Sequence, residues 1–160
     1  MLALCLPLAA LGGCGLAPMY AGGSQGAVAR GLSDVQVSSI EGQSGWIVRN
    51  ALVDRLGNGA GAAPRYRLDV RLDERLQGLG LLADDAVTRE RRTLRARYQL
   101  VDLGSGKILL DATAAADAGI DIVSSEYAVI AAEQTALENI AREVAGQMVT
   151  RIATRLQQPR

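Results

Sequence analysis

Arg65-Tyr66-Arg67-Leu68-Asp69-Val70-Arg71-Leu72-Asp73 alternates strictly, with Tyr66, Leu68, Val70 and Leu72 apolar and every residue between them charged. Successive side chains of a strand point to opposite faces, so this stretch is a half-buried strand with one dry face and one wet face. The same alternation returns downstream, where Leu94, Ala96, Tyr98 and Leu100 interleave with Thr93, Arg95, Arg97 and Gln99. Asp102-Leu103-Gly104-Ser105-Gly106-Lys107 then has turn composition and leads into Ile108, Leu110 and Ala112. That order predicts a hairpin between the third and fourth strands.

Upstream, Val35, Val37 and Ile40 sit among Gln36, Ser38 and Ser39 and are closed by Glu41-Gly42, a short strand pattern. A helix is expected next: Ser44 can cap it, Val48, Leu52 and Leu56 recur every four residues, and Gly57-Asn58-Gly59 can stop it. From Ser125 to about Leu156 the period becomes helical again, with Ile130, Leu137, Ile140, Val144, Met148, Ile152 and Leu156 on one stripe and Glu138 four residues before Arg142. At 1.5 Å per residue such a helix reaches on the order of 45 Å, more than a small sheet needs as cover, so a kink or an overhanging end is expected.

These elements predict an α+β fold, a two-layer sandwich in which a four-stranded mixed sheet carries two helices on one face, in the order β-α-β-β-β-α. The other face is lined by Arg65, Arg67, Asp69, Arg71, Asp73, Arg95 and Arg97, mixed charges that suit a solvated surface.

The N-terminus reads differently. Met1 to Gly13 has no charge and is almost continuously apolar, yet it is shorter than the roughly 20 residues a spanning helix requires. It reads as a lipoprotein signal peptide, residues 1–13, ending in the lipobox Leu11-Gly12-Gly13-Cys14. The thiol of Cys14 is then the acylation site and the first residue of the mature protein. The first basic residue is Arg30, which leaves open a translation start upstream of Met1. Residues 14–31 are rich in Gly and Ala and read as a flexible tether, and residues 32–160 as a single domain.

Composition removes several kinds of chemistry. The chain has no histidine, and Cys5 falls in the segment expected to be removed, so Ser-His-Asp and Cys-His arrangements are excluded. No metal site and no cofactor is expected. Seventeen basic and 17 acidic side chains balance, which argues against a nucleic-acid partner. The carboxylate pairs Asp84-Asp85, Asp69 with Asp73, and Asp117 with Asp121 read as solvated surface. Gly104-Ser105-Gly106-Lys107 precedes a strand and is a hairpin turn, not a phosphate loop. A hydrolase using Ser124 or Ser125 with Glu126 lacks a visible base of suitable pKa.

Two features invite a binding role. Gln77-Gly78-Leu79-Gly80-Leu81-Leu82-Ala83 reads as a glycine-rich loop whose leucines Leu79, Leu81 and Leu82 either fold back on the core or meet a partner. Arg89-Glu90-Arg91-Arg92 follows it as a local basic cluster, suited by forked geometry to phosphate or carboxylate.

The chain resembles the lipopolysaccharide-assembly lipoprotein family, the E component of the outer-membrane lipopolysaccharide translocon, in its alphaproteobacterial form. The resemblance rests on Cys14-Gly15-Leu16-Ala17-Pro18-Met19-Tyr20, Arg49-Asn50-Ala51-Leu52, Tyr66-Arg67-Leu68-Asp69-Val70, Val87-Thr88-Arg89, Ala96-Arg97-Tyr98-Gln99-Leu100-Val101-Asp102 and Ser125-Glu126-Tyr127-Ala128. It implies a non-enzymatic, lipid-anchored protein on the periplasmic side of the outer membrane. Such a protein forms a heterodimer with the lipopolysaccharide-transport β-barrel, plugs it, assists its assembly and contacts lipopolysaccharide. The family's lipid-binding residues fall nearest to Arg89, Arg91 and Arg92 in this sequence. The alternative is a free periplasmic lipoprotein domain that binds a small ligand or peptide.

Overall fold

The structure, a computed structural model, describes residues 27–57, 63–81 and 87–158. The chain runs α1 (Ala27–Ser33), β1 (Val35–Val37), α2 (Gly42–Leu56), β2 (Tyr66–Leu81), β3 (Val87–Asp102), β4 (Ile108–Asp121) and α3 (Glu126–Gln157). The strands form one open sheet in the order β1-β2-β3-β4. β1 lies parallel to β2 over Val35↔Tyr66 to Val37↔Leu68, while β2, β3 and β4 are successively antiparallel. The expected mixed sheet in an α+β fold is what forms.

Alternation decides the layers. Tyr66, Leu68 and Val70 on β2, Leu94, Ala96, Tyr98 and Leu100 on β3, and Ala114, Ala116 and Ile120 on β4 all turn to one face and are buried. Against them lie Val48, Leu52 and Leu56 of α2 and Leu137, Ile140, Val144, Met148 and Ile152 of α3, each almost inaccessible to water. With no phenylalanine available, alanines on β4 and α3 let the longest helix approach the sheet closely.

Several expectations need correction. Both long strands run further than their alternating cores: Gln77 to Leu81 belongs to β2 and Arg89 to Arg92 to β3, in continuous register through Gly78↔Glu90 to Leu81↔Val87. Gly78 and Gly80 weaken a strand entropically, but the backbone ladder needs no side chain, and β4 continues alongside to Arg89↔Asp121. Asp117 and Asp121 are therefore strand residues. α2 begins earlier than Ser44 suggests, with Glu41 in the cap position and no side-chain cap bond, and it stops as expected at Gly57 (φ +84°). A third helix, α1, occupies the last residues of the stretch expected as tether and packs against α3. Arg142 donates to the Glu138 backbone carbonyl and to Asn139 Oδ1 instead of pairing with the Glu138 carboxylate.

The β3–β4 hairpin forms where expected. Asp102 is buried, and its Oδ1 accepts the N–H groups of Gly104 and Ser105 and the Ser105 hydroxyl. Gly106 supplies the left-handed residue (φ +69°) that closes the turn.

The two sheet edges differ. On β4, Gln147, Arg151 and Arg155 of α3 recur at four-residue spacing and donate to the carbonyls of Ala115, Thr113 and Leu109 at 3.1, 3.4 and 2.8 Å. On the opposite side β1 ends after Val37, and Ser38 N–H donates to Leu68 O at 3.0 Å. Beyond that bond no strand among the described residues accompanies β2.

Candidate functional site

The paired ends of β2 and β3 carry Leu79 and the arginines singled out from the sequence, and alternation divides the arginines between two faces. Leu79, Arg89 and Arg91 lie on the face away from the helices, with Leu79 directly across the ladder from Arg89. Arg89 pairs with Asp121 at 2.8 Å and Arg91 with Asp117 at 3.6 Å, and every side chain of these two bridges is more than half exposed. Exposed pairs of this kind contribute about 0–1 kcal/mol, so the arginines can exchange their carboxylates for another anion at little cost.

Arg92 faces the other way. It pairs with Glu74, its Nη1 donates to Glu133 O of α3 at 3.0 Å, and its side chain is 17% exposed. It ties these strand ends to the long helix. The three arginines therefore do not converge, and the basic cluster of the linear sequence is matched in space by Glu74, Asp117 and Asp121 from the neighbouring strands. Leu79 is partly exposed; Leu81 ends β2, and its side chain, like the whole of Leu82, lies outside the described residues, as do Cys14, Asp84 and Asp85.

The rest of the sheet's outer face is charged and largely paired within itself. Arg67 binds Asp69 through Nε at 3.0 Å, Ser38 Oγ donates to Asp69 at 2.7 Å, and Arg75 reaches Asp73 at 3.4 Å. Asp111 accepts from Arg97 and from Gln99, and the Arg97 hydrogen bond, then that of Gln99, holds its carboxyl below the ordinary carboxylate range. Arg71, opposite Arg97 on the ladder, has no ion pair among the described residues. Burial raises the Tyr98 phenol above its usual range, opposed by the nearby Arg151 guanidinium.

Hollows open at three places among the described residues. Two share Ser39, Val70 and Arg71: one of about 570 Å³ reaches across β2 to β3, with Ser38, Asp69, Arg97, Tyr98 and Gln99, and the other, of about 480 Å³, lies beside β2 with Ile40, Glu41 and Leu72. The third, about 250 Å³, lies between α2 and α3 beside Trp46, which is 65% exposed. Ile130, placed on the core stripe by its spacing, is exposed, as is Tyr127. The first turns of α3 therefore do not pack into the core. A helical period cannot show which of its turns the core reaches.

No catalytic arrangement is assembled among the described residues. Ser125 takes the cap position of α3 without a side-chain cap bond, and Ser124 and Glu126 beside it are exposed. Among the described residues no cluster of three metal-ligating side chains exists, and no helix is long and apolar enough to cross a membrane.

The family model for lipopolysaccharide assembly, LptE, matches residues 32–152, which spans β1 to the last turns of α3. The chain belongs to the LptE family. Solved structures similar to this LptE-family chain include a candidate lipoprotein from Caulobacter crescentus (24% identity, TM-score 0.68, covering 82% of this chain and 97% of that one). Others are a minor lipoprotein from Acinetobacter baumannii (18%, 0.61, 79% and 97%) and rare lipoprotein B from Shewanella oneidensis (13%, 0.53, 75% and 92%). At these identities they show a shared fold. No curated protein matches the sequence. Membership in the LptE family places the chain, in general terms, among the lipopolysaccharide-assembly lipoproteins of the cell envelope.

Proposed function

We propose that this LptE-family chain is a non-enzymatic lipoprotein of the outer membrane that plugs the lipopolysaccharide-transport β-barrel, assists its assembly as a heterodimer, and contacts lipopolysaccharide. The observation that carries this reading is the family match across the whole sandwich, residues 32–152. Residues 1–13 are removed as a signal peptide, Cys14 is acylated, and the following residues tether the domain on the periplasmic side. More than one acyl chain makes such an anchor stable, since a single chain holds only marginally. Leu79, Leu81 and Leu82 supply apolar contact to the partner.

The head-group role is best carried by Arg89 and Arg91, whose exposed bridges free them for phosphate, while Arg92 serves the fold. Changing Arg89 and Arg91 together to Ala should lower affinity for lipopolysaccharide vesicles several-fold at low salt, with the thermal midpoint nearly unchanged. Arg92→Ala should do the reverse, lowering stability and sparing affinity. Equal affinity in the double variant refutes the assignment.

The functional reading itself is tested by depleting the chain in its host. Less assembled barrel and less lipopolysaccharide at the cell surface are expected; unchanged amounts of both overturn it.

A further inference from the structure

Among the described residues, no strand pairs with β2 beyond Leu68 on its β1 side. Tyr66 N–H turns toward β1, to Asp34 O, and Leu68 O turns the same way, to Ser38, whereas Arg65 O turns toward β3 and accepts from Leu103. Peptide groups in an antiparallel pair alternate in direction. The N–H and C=O groups of Val70, Leu72, Glu74, Leu76 and Gly78 therefore point away from β3, toward the side where no strand follows Val37 among the described residues. The other edge shows how this fold treats such groups when they are not for use: α3 covers the β4 carbonyls with Gln147, Arg151 and Arg155. Nothing among the described residues does the same for β2.

Side chains state what fits there. The two hollows beside Ser39 and Val70 provide room next to the ladder, and both are bordered by Arg71, an outer-face arginine with no ion pair among the described residues. Along the outer face the edge reads Arg71, Asp73, Arg75, and along the helix-side face Val70, Leu72, Glu74 and Leu76, with Glu74 engaged by Arg92. Directly opposed residues of paired strands interact, so a complementary strand carries acid, base and acid on one face and apolar residues on the other.

We propose that this edge receives an extended segment of a partner protein as a fifth strand, with acidic side chains set against Arg71 and Arg75 and a basic one against Asp73. This rests on the reading that the chain works by contact with a protein, and it assigns the contact to main-chain pairing beside β1.

The test uses the full chain and a synthetic peptide, Thr-Val-Glu-Val-Lys-Val-Glu-Val-Thr, whose symmetric charge order suits either strand direction. A charge-swapped peptide, with Lys for Glu and Glu for Lys, has the same apolar face and strand tendency. The matched peptide should bind roughly tenfold more tightly than the swapped one and slow exchange of the Val70, Leu72 and Leu76 amides. Glu74→Pro removes an edge-directed N–H, a substitution that an edge strand accommodates. It should abolish binding, whereas Glu74→Ala, which removes only the Arg92 bridge, should retain it. Equal affinity for the two peptides overturns the proposal, and so does protection located at β4. Self-association of the free chain through β2 also overturns it, by making a second copy the occupant. The peptide comparison on the unaltered chain stands whether or not the proline variant folds. Failure of peptide binding with barrel assembly intact rejects the edge and leaves the family role untouched.

Discussion

At the scale of single residues, charge on this protein is organised across strands, and that is why much of it is illegible in the sequence. Arg89 to Arg92 reads as a basic cluster because its counter-charges, Glu74, Asp117 and Asp121, arrive from β2 and β4. The strand period does separate Arg89 and Arg91 from Arg92, but only once β3 is known to extend that far. Asp111 illustrates the consequence for pH. Its hydrogen bonds from Arg97 and Gln99 lower its folded pKa, so its contribution is complete above the ordinary Asp value of about 3.9 and drains away as pH falls through the lower folded value. The thermal-midpoint gap between the natural chain and Asp111→Asn should therefore be constant near neutrality and close on acidification. A gap that persists at the acid end contradicts the arrangement.

At the scale of elements, position and type are readable wherever side chains repeat with a clear period, as on β2, β3 and α3, and ends are not. Gly78 and Gly80 look like a loop because a strand continued by its ladder leaves no mark on side-chain pattern. α1 escapes a reading by pattern because its Ala, Val and Gly residues lack the length for a helical period to emerge. Gly45 is another case hidden from pattern: a Cβ there would sit 2.7 Å from Ile40 O, so α2 uses a poor helix former to let the preceding segment pass. Gly45→Ala, favourable by helix propensity alone, should instead cost about 1–3 kcal/mol in chemical denaturation. A gain in stability shows that Ile40 yields freely. The helix side chains that cover β4 are likewise a device of the assembled fold. Replacing Gln147, Arg151 and Arg155 together by Ala should leave the sandwich folded but promote concentration-dependent association, read by sedimentation, because it bares edge carbonyls. Unaltered sedimentation indicates that these residues do not protect the edge.

At the scale of the whole molecule, a long helix backs a sheet whose two edges are treated differently among the described residues: side chains of α3 cover three carbonyls of β4, and no strand follows β1 along β2. Exposed Trp46, Tyr127 and Ile130 on the helix layer and paired arginines on the outer sheet face give the two sides different character. A sandwich of Leu, Val, Ile and Ala, with no catalytic group assembled among its described residues, is proposed to act through its surfaces. Affinity purification of the full-length chain from detergent-solubilised outer membranes of its host tests this most directly. A β-barrel protein co-eluting in stoichiometric amount is the predicted result; a monodisperse monomer carrying a small bound ligand, with no barrel, contradicts it.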